Sequence, residues 1–229
     1  MSNLVTSARQ GIDNVRRSLG RAEQTTLGPH PAIYPSRQAG TTDSETQLFF
    51  NELKKLSAVG QRLAPSGIAE ALKTLVDENG IHKATVWDTL HMRQLQVTEH
   101  LAALGVELVS PAADTLTGTR KHEIALCDLG ITEADYLLPE TGTIVLHSSA
   151  EMPRAVSLLP RIHLAIVRPE MLRPDMHQVF AEAKNNNYLV FITGPSRTAD
   201  IELTTTLGVH GPKELFVWML EEMPINKSP

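Results

Sequence analysis

Three short segments of the 229-residue chain carry side chains whose types and spacing suit chemistry. The first is Leu138-Pro139-Glu140-Thr141-Gly142-Thr143. Its carboxylate could serve as a base, a nucleophile or an acceptor for a substrate hydroxyl, with the hydroxyls of Thr141 and Thr143 on either side. Gly142 permits a backbone conformation that other residues resist. A plain turn with a solvated Glu140 would have the same local sequence. The second is Thr193-Gly194-Pro195-Ser196-Arg197-Thr198-Ala199-Asp200-Ile201-Glu202, where an apolar run ends in Gly-Pro and Ser-Arg-Thr follow. A helix starting there would offer unpaired N–H groups and a partial positive charge. With the hydroxyls of Ser196 and Thr198 and the Arg197 guanidinium, these suit a carboxylate or a phosphate. The plainer alternative is an N-cap by Ser196 or Thr198 with Asp200 complementing the dipole, but a cap needs neither the Gly-Pro nor the arginine. The third is Leu207-Gly208-Val209-His210-Gly211-Pro212. His210 stands between glycines with little to pack on, as a general base, an anion partner or a simple loop histidine.

Other reactive side chains point to less. Cys127 is the only cysteine, so no intrachain disulfide, cysteine-ligated iron–sulfur cluster or four-thiolate zinc site can be built from this chain alone. It lies in the apolar run Ile124-Ala125-Leu126-Cys127 and reads as a buried structural thiol rather than a nucleophile. None of the nine histidines forms a metal-binding pair by spacing. Convergence of His147, His163 and His210 on a metal would need the fold to arrange it, and no metal is expected. No glycine-rich dinucleotide or phosphate loop is present, so neither flavin nor nicotinamide is expected in this chain. Trp87 and Trp218 read as core.

The elements that must position these segments follow from periodicity. Leu4, Val5, Ala8, Ile12, Val15 and Leu19 give residues 2–19 a helical apolar stripe, ended by Gly20. Residues 21–44 hold Pro29, Pro31 and Pro35, which forbid a continuous helix. The chain therefore divides into an arm and linker over 1–44 and an α/β domain over 45–229. The arm's apolar stripe needs cover from its own domain, a second copy or a partner, because an isolated helix of that length is marginal. In the domain, Asp43 or Ser44 caps a helix through Leu56, and Pro65-Ser66-Gly67 opens another over 68–78. Strands are expected at 81–87, 106–109, 123–127, 143–147, 162–167, 188–193 and 215–220. Helices are expected at 91–104, 170–184 and 198–207. Alternation of this kind favours a mainly parallel sheet covered on both faces. In such sheets ligands sit outside the carboxyl ends of the strands, where the three segments are expected to meet.

Composition agrees with a globular domain: 41% hydrophobic residues supply a core. A formal charge of −5 argues against nucleic acid as a partner, since phosphates call for a basic stripe. Neither a signal-type apolar segment nor a membrane-length run occurs, so a cytoplasmic protein is expected.

The motifs together resemble a known family. Glu140-Thr141-Gly142-Thr143-Ile144, Ser157-Leu158-Leu159-Pro160, the run from Gly194 to Glu202, and Gly208-Val209-His210-Gly211-Pro212 are similar in order and spacing to the LUD domain family. The likeness is strongest to its lactate-utilisation protein C branch, a single LUD domain without ferredoxin-like cysteines. It covers residues 80–222, approximately. The resemblance implies a three-layer α/β/α sandwich of the type shared with CoA transferases and ribose-5-phosphate isomerase. It implies a role in oxidising L-lactate to pyruvate beside iron–sulfur partner proteins, with no cofactor in this chain. The ligand-binding candidates are Thr141, Gly142, Thr143, Gly194, Ser196, Arg197, Thr198, Asp200 and His210, for a small carboxylate or phosphate. Glu140 and His210 are the catalytic candidates. Leu138-Pro139 departs from the small residues more usual in the family before the glutamate. The competing reading is a free-standing enzyme of CoA-transferase or sugar-phosphate isomerase type using Glu140. A homo-oligomer is compatible with either.

Overall fold

The computed structural model describes residues 10, 13–20, 37–112, 120–183, 188–199, 205–207 and 210–221. The chain divides into units 1–35 and 36–229. In the first unit residues 13–18 form a helix, α1, with Val15 and Leu19 exposed. Residues 1–9 and 11–12 of the expected arm, and the linker from 21 to 36, lie outside the described residues.

The second unit opens with α2 (Thr42–Lys55), capped by Thr41 rather than by Asp43 or Ser44. Thr41 accepts a hydrogen bond from the Ser44 N–H at 3.3 Å, Asp43 and Glu45 occupy the first turn, and Lys54 and Lys55 the last. Phe49 and Leu53, on one face of α2, are fully buried. Six parallel strands follow: β1 (Val59–Leu63), β2 (Lys83–Val86), β3 (Glu107–Val109), β4 (Leu129–Thr132), β7 (Ile162–Val167) and β11 (Glu214–Leu220). They stand side by side in the order β1-β11-β7-β4-β2-β3. All six residues of β7 are buried, as a strand covered on both faces requires. Ile162, Leu164 and Ile166 pack with α3 (Ile68–Asn79), α4 (Leu90–Gln94) and α5 (Val97–Ala103) on one side. Ala165 and Val167 pack on the other side with Phe49 and Leu53 of α2 and Val156 of α7 (Ala155–Leu158). Trp87 and Trp218 are buried, as expected.

The mainly parallel α/β sandwich is thus as expected, with one difference. The layer containing α2 and α7 also holds a small antiparallel sheet, ordered β5 (Tyr136–Leu138), β6 (Thr143–His147), β8 (Leu189–Thr193). Leu137, Ile144 and Leu146 of this sheet are buried against the parallel one. Two strands read correctly from sequence, 143–147 and 188–193, therefore belong to a different sheet from the rest.

Two expected elements change type and a third shortens. Residues 123–127 are not a strand but the end of α6 (Arg120–Ala125) and the turn after it. Ile124 and Cys127 are three apart, one helical face, and pack on Val109 and Ala155. The helix expected over 198–207 is not formed by the described residues of that range. Arg197–Ala199 (β9) and Thr205–Leu207 (β10) pair antiparallel, as a threonine-rich run prefers. The helix expected over 170–184 shortens to α8 (Met176–Glu182). Pro174 interrupts it, and Asp175 caps it by accepting from the Gln178 N–H at 3.0 Å. A smaller change divides the 91–104 helix at Gln96, whose φ is 50°.

Cys127 is buried, and burial pushes its thiol up to about 11. At pH 8 only about one thiol in a thousand is then ionised, so iodoacetamide should modify the native protein far more slowly than the unfolded chain. Mass spectrometry of timed samples checks this; equal labelling in both states would contradict the buried thiol.

Candidate functional site

The Glu140 segment turns into the small sheet. Gly142 has a φ of 60°, and a side chain there would press on the backbone of Glu52 and Leu53 in α2. That left-handed turn delivers Thr143 to the start of β6, opposite Thr193 of β8. The hydroxyls of Thr141 and Thr143 lie 2.7 Å apart, and those of Thr143 and Thr193 2.8 Å apart. Glu140 is exposed and pairs with Arg37 Nε at 3.1 Å. Arg37 is itself held by the buried Glu45, 2.8 Å from Nη1 and 2.9 Å from Nη2, and its N–H donates to Asp175 at 2.6 Å. The guanidinium keeps the Glu45 carboxyl below its usual range. Leu138, Glu140, Thr141, Thr143, Asp175 and Thr193 line a cavity of about 460 Å³ beside these groups.

A second cavity of about 180 Å³ adjoins it, with Phe191 and Thr193 lining both. Its walls bring together the Gly194-Pro195-Ser196 turn and the His210-Gly211-Pro212 turn. The Ser196 N–H donates to the Pro212 carbonyl at 2.8 Å. Gly211 permits this approach, since a Cβ there would lie 3.1 Å from Ser196 Cβ; Gly194, with a φ of 80°, sits against Leu56. His210 is exposed at the rim. The floor is His163 of β7, buried to 1% exposure, with Nε2 2.8 Å from Thr132 Oγ1 and Nδ1 without a partner. Burial pushes this imidazole down to about 3, so it is neutral at any physiological pH.

The expected convergence is partly present. Gly194, Ser196 and His210 share one cavity, and Glu140, Thr141 and Thr143 the neighbouring one. Gly142 serves the turn. Arg197 does not join them: its guanidinium donates to the Leu56 carbonyl and, at 3.0 Å, to Ser57 Oγ, closing the C-terminal end of α2. Glu45, which anchors the Arg37–Glu140 pair, is about 16 Å away along that helix at 1.5 Å per residue. Arg197–Ala199 form β9, so among the described residues no helix starts directly after Ser196 to supply the expected N-terminal dipole. Thr198 lies in β9, whereas Asp200, Glu202, Gly208 and Val209 lie outside the described residues. The cavity also stands at the amino ends of β7 and β11, not at the carboxyl edge, because its lining residues His163 and Leu215 are the second residues of those strands and Pro212 precedes β11. Two residues carry more weight than their sequence context suggests. Arg37 sits in the proline-rich stretch read as linker, with no motif around it. His163 is the one histidine inside a wholly apolar strand, a signal noted only for metal binding. Among the described residues no group of three His, Cys, Asp or Glu is placed to hold a metal, and no helix is long and apolar enough to cross a membrane.

A parallel α/β sheet with one partly antiparallel outer layer defines the class of fold. It is shared by the crystal structure of a DUF162 family protein from Deinococcus radiodurans, with a TM-score of 0.60 at 19% identity over 80% of this chain and all of that one. The LUD domain model matches residues 41–220, reaching back through α2. Lactate utilization protein C of Halalkalibacterium halodurans is 31% identical over 215 residues, 88% of this chain and 92% of that protein. Its namesake from Shouchella clausii is 30% identical over 213 residues, with the same shares covered. The chain belongs to the LUD domain family.

Proposed function

We propose that this chain serves L-lactate utilisation as a subunit without a redox centre of its own, working beside iron–sulfur partner proteins and binding a small carboxylate in the paired cavities. The near full-length likeness to lactate utilization protein C carries this reading. The single cysteine is consistent with redox chemistry residing in partners. Glu140 is a poor nucleophile for the free-standing-enzyme alternative. It is exposed and already paired with Arg37, whereas covalent catalysis needs an activated carboxylate aimed at substrate.

Deleting the gene in its host should abolish growth on L-lactate as sole carbon source and leave growth on pyruvate intact, with restoration by the wild-type chain. An affinity-tagged chain from lactate-grown cells should bring iron–sulfur proteins with it. Undiminished lactate growth in the deletion strain would refute the role. Purification of the chain alone, under conditions that preserve complexes, would refute the partnership.

A further inference from the structure

We propose that the cavity floored by His163 seats a small carboxylate, and that His163 recognises it as a fixed neutral hydrogen-bond donor whose tautomer is set by Thr132. This rests on the small-acid reading above and names the group that does the recognising. The starting point is an imidazole in the middle of a parallel sheet. Thr85, Gly130, His163 and Leu215 stand in one row across β2, β4, β7 and β11. Every other side chain of β7 is apolar, so a histidine there is costly unless both ring nitrogens are used. Only one is: Nε2 meets Thr132 Oγ1, while the buried Nδ1 has no partner. Buried polar atoms are seldom left without a partner.

The hydrogen-bond network assigns the proton. Thr132 is fully buried and its hydroxyl has a single hydrogen. Among the described residues its only side-chain hydrogen-bond partner is His163 Nε2. The arrangement that leaves Thr132 satisfied has its O–H donating to the Nε2 lone pair, which places the ring proton on Nδ1. His163 then needs an acceptor, and it is among the residues that line the cavity. The other polar side chains there are the hydroxyls of Ser157, Thr193 and Ser196 and the imidazole of His210; no carboxylate lines it among the described residues. Ser157 already donates to the Arg154 carbonyl. A ligand rich in acceptors and poor in donors suits such walls. Leu158, Phe191 and Leu215 add an apolar side for a methyl or methylene. The 180 Å³ volume equals about six waters at their share of liquid volume, room for an acid of five or six heavy atoms. Because His163 stays neutral, it orients the acid and takes no proton from it.

Calorimetric titration of the full chain with pyruvate, acetate and acetamide tests this. Pyruvate and acetate should bind, and acetamide, which lacks the charge, at least tenfold more weakly. Thr132→Val should weaken pyruvate binding at least tenfold and Thr132→Ser should restore it. Nitrogen NMR of the histidine side chains in the wild-type chain should show His163 protonated at Nδ1, a readout that does not depend on a variant folding. An Nε2-protonated His163, unchanged affinity in a folded Thr132→Val protein, or failure of both acids to bind would overturn the proposal. Failure to bind acids while the chain still restores lactate growth would overturn this site and leave the metabolic role standing. Acid binding in a chain whose deletion leaves lactate growth intact would do the reverse.

Discussion

Gly130→Ala should destabilise the protein by at least about 3 kcal/mol, toward the upper end of the overpacking range. The reason is the approach of α7 to β4. A Cβ on Gly130 would stand 1.9 Å from the Val156 carbonyl oxygen and 3.0 Å from Pro160 Cγ. The first obstacle is backbone, so rotamer changes cannot relieve it. Either β4 or α7 must move by more than an ångström, and both are held: Gly130 pairs with Thr85 and His163, and Val156 is fully buried. At roughly 2–4 °C per kcal/mol for a domain of this size, the melting temperature should fall by about 6–12 °C. The same shift displaces Ser157 and Leu158, which line the His163 cavity, so any carboxylate bound there should be lost as well. Gly67→Ala is the matched control. Its φ is −86° and the nearest atom to an added Cβ is a leucine methyl at 3.9 Å. It should be neutral or slightly stabilising, because alanine reduces the freedom of the unfolded chain. Thermal unfolding of the two variants beside wild type decides the matter. A Gly130→Ala protein that melts with the wild type would mean that α7 does not sit as described.

Gly130 also marks where sequence stopped being informative. Residues 164–167 of β7 and 215–220 of β11 announce themselves as unbroken apolar runs, because burial on both faces favours an apolar residue at every position. Leu129-Gly130-Ile131-Thr132 is as central in the sheet, yet its glycine answers to α7, 26 residues further on, and reads locally as a break. The same limit separates the motifs that were placed correctly from those that were not. Gly142, Gly194 and Gly211 are needed for turns and close approaches within their own loops, and those turns formed as their residues imply. The helix expected from Thr198 rested on acidic residues after a Gly-Pro; pairing of two threonine-bearing strands overrode that weak preference. Arg197 looked like an anion ligand because arginine near a loop suits that role. Its actual partners, Leu56 and Ser57, are 141 and 140 positions earlier and have no signature that points to it. His163 was visible as a histidine among aliphatics, but its meaning depends on register with β4, which fixes Thr132 as its neighbour. Burial and hydrophobic period are local properties of sequence. Which polar group meets which is a property of strand order.

Arg37→Ala should cost about 2–3 kcal/mol at neutral pH, an unusual figure for a residue in an irregular segment just ahead of a helix. Exposed ion pairs contribute little, often under 1 kcal/mol. Here Glu45 is only 5% exposed, and its carboxylate accepts from both terminal nitrogens of Arg37 and, at 2.7 Å, from the Gly40 N–H. Removing the guanidinium leaves a buried carboxylate with one donor, the situation in which breaking a pair is most destabilising. It also frees Glu140, which keeps solvent and loses only its anchor. The pH dependence separates this account from simple loss of packing. The Glu45 carboxyl is held below its usual range in the folded protein, chiefly by the Arg37 hydrogen bond. Stability from that shift is fully present above the unfolded carboxyl value, about 4.3, and is lost as pH falls through the lower folded value. The gap between wild type and Arg37→Ala should therefore be widest near pH 7 and narrow on acidification below about pH 4. In the alanine background, Glu45→Gln removes the stranded charge and should recover a substantial part of the loss at neutral pH. Urea unfolding of the single and double variants at pH 7 and at acid pH measures both effects. A penalty that stays constant with pH, or a double variant no more stable than Arg37→Ala, would show that the guanidinium acts through packing rather than by neutralising Glu45.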